Sequence, residues 1–162
     1  DSLQQSYPYY VNVTAFDFGS PASGLASLET PITTGSQLAY AWDDDDAVAA
    51  QNLKVYVFPN PYRADENYLD RGYEQLQIGG KDRSRQINFA NLPPKCVIKI
   101  FSLDGDLVRE IKHDMLPSDP ASTQEKWDLI TRNTQLVVSG IYYWTVESSD
   151  AKVQIGKLAV IF

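Results

Sequence analysis

The run Val55-Tyr56-Val57-Phe58-Pro59-Asn60-Pro61-Tyr62-Arg63 constrains the chain more than any other stretch. Val, Tyr and Phe in succession suit a pleated, half-buried surface. Two prolines one residue apart remove two ladder donors and drive Phe58 and Asn60 toward extended backbone. A strand therefore enters here and stops at Phe58. The residues N-terminal to this stop differ in pattern from those C-terminal to it, so the run also marks a boundary.

After the boundary, apolar and polar residues alternate regularly from Gln86 onward. Ile87-Asn88-Phe89 reads as a short strand closed by Asn91-Leu92-Pro93-Pro94. Residues 96–101 and 107–111 are the next two strands. Asp104-Gly105 between them predicts a hairpin with a type I′ turn, in which both central residues need positive φ. Residues 125–129 give a further strand, and residues 141–147 and 153–162 a second hairpin around Ser148-Ser149-Asp150-Ala151. With a period of two, Tyr142, Trp144 and Val146 share one face and Leu158, Val160 and Phe162 another, and these faces are expected to meet in the core. Ten Tyr, three Trp and a single Met, with little helical periodicity, favour an all-β protein. About seven short strands with frequent turn signals predict an antiparallel β-sandwich over residues 53–162.

Residues 63–86 are a polar excursion with Gly72, Gly79, Gly80 and the cluster Lys81-Asp82-Arg83-Ser84-Arg85. Within it residues 73–78 alternate briefly and predict one edge strand. Such an insertion is either a functional loop or a variable surface loop.

Before the boundary, residues 9–17 alternate strongly, a Gly/Ser/Pro loop comes next, and residues 27–31 give a second strand. Two strands alone cannot bury their apolar face, because an isolated hairpin is marginal in water. Residues 1–31 therefore pack on the following domain, or belong to a larger sandwich, or complete a sheet in another molecule by strand addition. Tyr9, Val11 and Val13 are the candidate assembly residues of this unit. Residues 32–52 read as a polar connector containing Asp43, Asp44, Asp45 and Asp46. Four carboxylates are candidate calcium ligands, since a hard cation takes oxygen donors. Consecutive Asp residues on an extended chain point to opposite sides, however, and no Asp-x-Asp-x-Asp-Gly loop with a distal Glu is present, so a solvated acidic linker is the competing reading.

Composition excludes several functions. A net charge of −7 and a pI near 4.6 argue against nucleic acid, whose phosphates call for a basic face. No window of about 18 apolar residues exists to span a membrane, and residues 1–5 lack the basic and apolar regions of a signal peptide. The single Cys96 has no internal disulfide partner and reads as a small buried hydrophobe. His113 is the only histidine, which removes two-histidine zinc motifs, and it is expected at the surface beside Asp114. Neither a Gly-x-Ser-x-Gly elbow nor a phosphate-binding loop is present. These readings predict a protein that is not an enzyme and carries no organic cofactor. Asn12-Val13-Thr14 fits the N-glycosylation pattern. In Tyr142-Tyr143-Trp144 the outer two are core candidates, and Tyr143 is the exposed ring that could stack on a glycan.

A set of motifs carries a family resemblance: Val57-Phe58-Pro59-Asn60-Pro61-Tyr62, Ile87-Asn88-Phe89-Ala90-Asn91-Leu92-Pro93, residues 98–109 with Asp104-Gly105, Trp127-Asp128, Ser139-Gly140-Ile141-Tyr142 and Gly156-Lys157-Leu158. In this order they resemble the C-terminal immunoglobulin-like module of secreted bacterial proteins, similar to the flagellar hook-capping type and to sorting domains of type IX secretion substrates. Residues 7–31, with Tyr9 where a corner tyrosine stands, resemble the last two strands of a fibronectin type III domain. The resemblance implies an Ig-like sandwich with a two-strand fibronectin-like extension, on an extracellular or bacterial cell-surface protein. It implies that the final strands, with Gly140, Tyr142, Lys157 and Leu158, serve as a sorting or assembly address. The implied partner is a protein, either a second copy or a secretion or surface component. The insertion at residues 63–86 exceeds the minimal pattern of such modules. The resemblance supplies no catalytic residues. A calcium- or glycan-binding accessory module is the alternative function.

Overall fold

The computed structural model describes residues 3–4, 7–74, 84–117 and 119–162. Most of the predicted edge strand over 73–78 and most of the charge cluster at 81–85 lie outside the described residues. The chain divides into two units, Asp1–Ala41 and Trp42–Phe162.

In the first unit, β1 (Pro8–Val11) pairs antiparallel with β2 (Gln37–Tyr40), Tyr9 opposite Ala39. The expected partner of residues 9–17 was instead 27–31. Those residues do approach each other, through the isolated bridge of Phe16 with Glu29, with the Asp17 N–H on the Leu28 carbonyl at 3.0 Å and the Thr30 N–H on the Ala15 carbonyl at 2.9 Å. Side chains reinforce this short pairing. The Asp17 carboxylate accepts from the backbone N–H groups of Gly19 and Leu28, and the Ser27 hydroxyl donates to the Asp17 carbonyl. Gly19 has φ +64°, and a Cβ there would sit 2.5 Å from the Leu25 carbonyl oxygen, so the close approach requires glycine. Residues 37–40, placed in the connector by the sequence, are thus the strand that closes this unit.

The second unit opens on α1 (Asp45–Ala50). The acidic run expected to be a linker is a helix start. Asp44 caps it by accepting from the Ala47 N–H at 2.7 Å, and Asp45 and Asp46 occupy the first turn, where the helix dipole favours negative charge. Val48 is its buried anchor.

Two sheets make up the rest of the unit. β3 (Tyr56–Phe58), β5 (Ile87–Ala90) and β8 (Gln124–Trp127) form a three-stranded sheet in the order β3-β5-β8. β4 (Tyr62–Arg63), β6 (Lys95–Phe101), β7 (Leu107–Asp114), β9 (Gly140–Ser148) and β10 (Val153–Ile161) form a five-stranded sheet in the order β4-β10-β9-β6-β7. The all-β, two-sheet expectation is met, with one parallel pair, β4 with β10, in an otherwise antiparallel arrangement. β3 stops at Phe58 where the prolines forbid further pairing, and both X-Pro bonds of the run are cis.

The core lies between the inward rows of the sheets. Ile98 and Ile100 from β6, Tyr142, Trp144 and Val146 from β9, and Leu158 and Val160 from β10 are buried together with Ile87, Phe89 and Trp127. Burying each large apolar side chain is worth about 1.5–3 kcal/mol. Phe89 meets Trp144 edge-on at 5.8 Å between ring centroids, and Trp127 meets Tyr142 at 6.1 Å. Polar tips are placed on backbone acceptors: Trp127 Nε1 donates to the Ile130 carbonyl and the Tyr142 hydroxyl to the Val138 carbonyl. The Trp144 indole lies directly over Gly156, where a Cβ would come within 2.1 Å of the ring.

Three further expectations are corrected. Phe162 does not join Leu158 and Val160 inside; it is exposed, and its ring lies under the Arg85 guanidinium. The 104–105 hairpin forms, but its turn is not type I′. Only Gly105 has positive φ; its N–H bonds the Ser102 carbonyl and the ladder shifts by one residue beside Phe101. That is a type I turn followed by a left-handed residue. His113 is not at the surface: β7 runs past the expected end at residue 111, and its alternation carries His113 inward opposite Cys96.

Candidate functional site

The outer face of the five-stranded sheet is built by the residues that alternate with the core rows. On β9 these are Ile141, Tyr143, Thr145 and Glu147, and on β10 Val153, Ile155, Lys157 and Ile161. The register stacks Phe101, Tyr143 and Lys157 in one row across β6, β9 and β10, and Lys99, Thr145 and Ile155 in the next. Ile141, Tyr143, Val153, Ile155 and Ile161 are exposed, Ile155 at 71%. The solvated face of an antiparallel sheet is ordinarily polar. On this face the exposed apolar side chains alternate with Lys99, Thr145 and Lys157. Lys99 crosses the face to Glu147, 3.0 Å to both carboxylate oxygens.

The residues expected to form the sorting or assembly address divide on this geometry. Gly140 and Lys157 are exposed, whereas Tyr142 and Leu158 are core residues that hold the hairpin folded. Tyr143, the exposed ring of the aromatic triplet, stands between Phe101 and Lys157 in its row.

β10 was also a candidate for pairing with a partner sheet through its edge. It is not an edge strand, because β4 lies outside it and pairs Tyr62 with Val160 and Arg63 with Ile161. Beyond β4 the Asn60 side chain continues the ladder. Its amide donates to the Lys157 carbonyl and its carbonyl accepts from the Ala159 N–H, each at 3.1 Å. The Pro-Asn-Pro run thus ends one strand and seals another. Sequence reasoning missed this role; the signal was an amide side chain held between two residues that lack N–H groups.

At the other end of the unit a buried polar knot ties β7, β8 and the intervening loop. The His113 side chain is fully buried, with Nδ1 3.0 Å from Glu125 Oε2 and Nε2 2.8 Å from the Ser122 carbonyl. Both nitrogens face acceptors, an arrangement that favours the doubly protonated imidazolium. Burial opposes that charge, but the hydrogen bonds to Glu125 and Ser122 and the negative charge of Glu125 and Asp114 raise the imidazole above its ordinary value. Burial likewise pushes the Glu125 carboxyl up, and the His113 and Lys126 hydrogen bonds bring it below its usual range. The same loop grips α1: the Ser122 hydroxyl donates to Asp45 and the Thr123 hydroxyl to the Asp43 carbonyl. Cys96, opposite His113, has its thiol pushed up to about 12 by burial and the Glu125 charge.

The acidic run does not converge. Asp44 serves the helix cap, Asp45 accepts from Ser122, and among the described residues no three His, Cys, Asp or Glu side chains group as metal ligands.

In the first unit none of the described residues is buried. Tyr9, half-buried on β1, accepts from the Gln4 N–H through its hydroxyl, while Val11 and Val13 are exposed, Val13 at 87%. Phe16 and Phe18 meet edge-on at 5.6 Å and are both exposed.

No family model matches the chain, and no curated protein matches it. Among solved structures it is similar to PorZ, a surface component of the type IX secretion system of Porphyromonas gingivalis, at 22% identity and a TM-score of 0.47 over 87% of this chain. It is also similar to dimeric latent PorU of the same bacterium, at 16% identity and a TM-score of 0.39 over 85% of this chain. A third likeness, to CopC from Methylosinus trichosporium OB3b, has 20% identity and a TM-score of 0.30, over 47% of this chain and 74% of that one. The chain spans 14% of the PorZ chain and 11% of the PorU chain. Likenesses at these scores carry no functional argument.

Proposed function

We propose that this chain is a non-enzymatic, structural β module of a secreted or cell-surface bacterial protein, and that it assembles with a protein partner through its N-terminal unit. The observation that carries the reading is that no described residue of Asp1–Ala41 is buried, although the unit displays Val11, Val13, Phe16, Phe18, Leu25 and Leu28. A two-stranded sheet without a core gains its stability from whatever covers it. The motif set from the Pro-Asn-Pro run to Gly156-Lys157-Leu158 supports the secretion-related part of the reading. On the folded hairpin the recognisable surface of such an address is Tyr143, Ile155 and Lys157, since Tyr142 and Leu158 are enclosed. The non-catalytic part is supported by the state of the reactive groups: His113 has both nitrogens engaged, and the Cys96 thiol is held protonated in the core.

The test is mass measurement by light scattering on the full chain and on a Val13→Asp/Phe18→Asp double variant. Assembly of the parent chain that the variant loses, with the Trp fluorescence of the second unit unchanged, supports the reading. Equal masses for both chains overturn it.

A further inference from the structure

We propose that His113 and the loop it holds form a pH-sensitive latch on α1. While both ring nitrogens donate, the Ser122-Thr123 segment holds the N-terminal end of the helix against the sandwich. Once one ring proton leaves, the segment loosens and α1 opens locally, with the two sheets still folded.

The helix depends on what it is attached to. It has six residues, far fewer than an isolated helix needs to persist in water. Its own contributions are the Asp44 cap and the buried Val48. The remaining ties come from two buried residues of the 115–123 loop: the Ser122 hydroxyl donates to Asp45 at 3.2 Å and the Thr123 hydroxyl to the Asp43 carbonyl at 2.8 Å. Thr123 is anchored independently, since its carbonyl accepts from the Leu92 N–H at 3.0 Å. The Ser122 carbonyl is instead bonded by His113 Nε2 at 2.8 Å, so the tie to Asp45 is the one that the ring controls.

A neutral imidazole has one donor for its two acceptors. The Glu125 carboxylate, 3.0 Å from Nδ1, is the stronger acceptor and retains the proton. Nε2 then turns a lone pair toward the buried Ser122 carbonyl, which loses its donor. Around His113 the titratable and charged groups are Glu125 and Lys126 on β8, Lys112 and Asp114 on β7, Lys95 and Cys96 on β6, Glu147 on β9, and Asp119 and Asp45 on the side of the loop and helix. Carboxyl and ammonium groups titrate outside the range of about pH 6–9, and burial pushes the Cys96 thiol up to about 12. The imidazole is the group of this set that changes charge within that range.

The test is amide hydrogen exchange of the full chain by NMR, corrected for intrinsic rates. The Val48 and Gln51 amides, bonded to the Asp44 and Ala47 carbonyls, report on α1. Their protection is expected to fall about tenfold between about pH 6 and 9, the loss expected when a buried acceptor is left without its donor. The midpoint should match the titration of the His113 ring protons, and the rates should not respond to urea below the unfolding transition. Ser122→Ala deletes only the hydroxyl that reaches Asp45 and is expected to leave α1 protection low and flat with pH, while the His113 ring still titrates. His113→Gln is expected to be flat as well; should it fail to fold, the Ser122→Ala comparison decides. Protection that is flat in the parent, exchange at Val48 that rises with urea as it does in the β6–β9 ladder, or a Ser122→Ala variant that keeps the parent's pH dependence each overturn the latch.

Discussion

Replacing His113 by Leu tests the buried knot most directly. The imidazolium donates at 3.0 Å to Glu125 and at 2.8 Å to the Ser122 carbonyl, from a side chain with no exposed surface. Charge-assisted hydrogen bonds contribute about 1.5–3 kcal/mol each, and removing one partner of a buried pair costs about 3–5 kcal/mol. The Glu125 side chain retains 24% exposure and would recover part of its hydration, which places the expected loss at the low end, about 3 kcal/mol at pH 6. His113→Gln keeps a single amide donor and is expected to lose about half as much. The sign of the pH dependence comes from the two directions. His113 is raised in the folded chain, so its contribution is complete below the unfolded value of about 6.5 and disappears as pH rises through the folded value. Glu125 is lowered, so its contribution is complete above about 4.3 and disappears as pH falls through its folded value. The contribution of this pair is therefore expected to be greatest between about pH 4.5 and 6.5 and to fall toward pH 8, with a slope of at most about 1.4 kcal/mol per pH unit. Urea unfolding followed by tryptophan fluorescence reads this out, because Trp42, Trp127 and Trp144 all belong to Trp42–Phe162. The series stops at pH 8 because the buried Cys96 thiol adds its own downward slope above the unfolded thiol value of about 8.5. A parent chain whose stability is flat or rising from pH 6.5 to 8, or a Leu variant that loses less than about 1 kcal/mol, would refute a charged, doubly bonded His113.

Gly156→Ala drives a Cβ into the Trp144 indole, and at 2.1 Å the ring must move; overpacking of this kind costs about 1–3 kcal/mol, read as a lower urea midpoint with an altered Trp emission maximum. Asn60→Ala removes both bonds that seal the β10 edge, with an expected loss of about 1–2 kcal/mol and faster hydrogen exchange at the Ala159 amide, while exchange at amides inside the β6–β9 ladder stays unchanged. Asp44→Ala removes the α1 cap and is expected to cost about 1 kcal/mol, whereas Asp46→Ala, in the first turn, costs half as much or less; equal effects would mean that charge, not the cap geometry, holds the helix.

Strands were legible where period-two alternation was unbroken. Tyr142, Trp144 and Val146 face inward opposite Leu158 and Val160 as the alternation requires, and the stop at Phe58 comes from proline chemistry alone. The position of His113 was also implicit. A two-residue Asp104-Gly105 turn sets Cys96 opposite His113, and Cys96 read as buried; the structure keeps that register along most of β6 and β7 and departs from it only near the tip. The illegible features depend on residues far apart in sequence. The partner of β1 is β2 rather than the nearer residues 27–31, which bridge instead to residues 15–17 and are held there by Asp17 and Ser27 side-chain bonds that no periodicity records. The acidic run is a helix start by its own cap, Asp44 on the Ala47 N–H, but its docking depends on Ser122 and Thr123, which bond Asp45 and Asp43 from 77 and 80 residues away. The Asn60 seal joins residues 97 and 99 positions apart.

The guarding of the sheet edges bears on how this module meets other proteins. β4 and Asn60 close one side of the five-stranded sheet. On the other side β7 carries Arg109, Glu110, Lys112 and Asp114, and the Arg132 N–H occupies the Val108 carbonyl at 2.7 Å. In the smaller sheet β3 runs into proline and β8 displays Glu125 and Lys126. Charge, proline and side-chain seals are the devices that keep strand edges from pairing with foreign strands. The edges of this unit are thus guarded, while Tyr143 and Ile155 stand in the open on a sheet face. Opening the Asn60 seal should therefore create a new, indiscriminate strand-pairing edge without touching the specific assembly. In the Asn60→Ala variant, thioflavin-positive aggregates are expected at concentrations where the parent has none, while the assembly proposed for the N-terminal unit keeps its parent affinity. If instead the variant gains affinity for that same assembly, the edge of β10 belongs to the contact and the Asn60 seal is not protective.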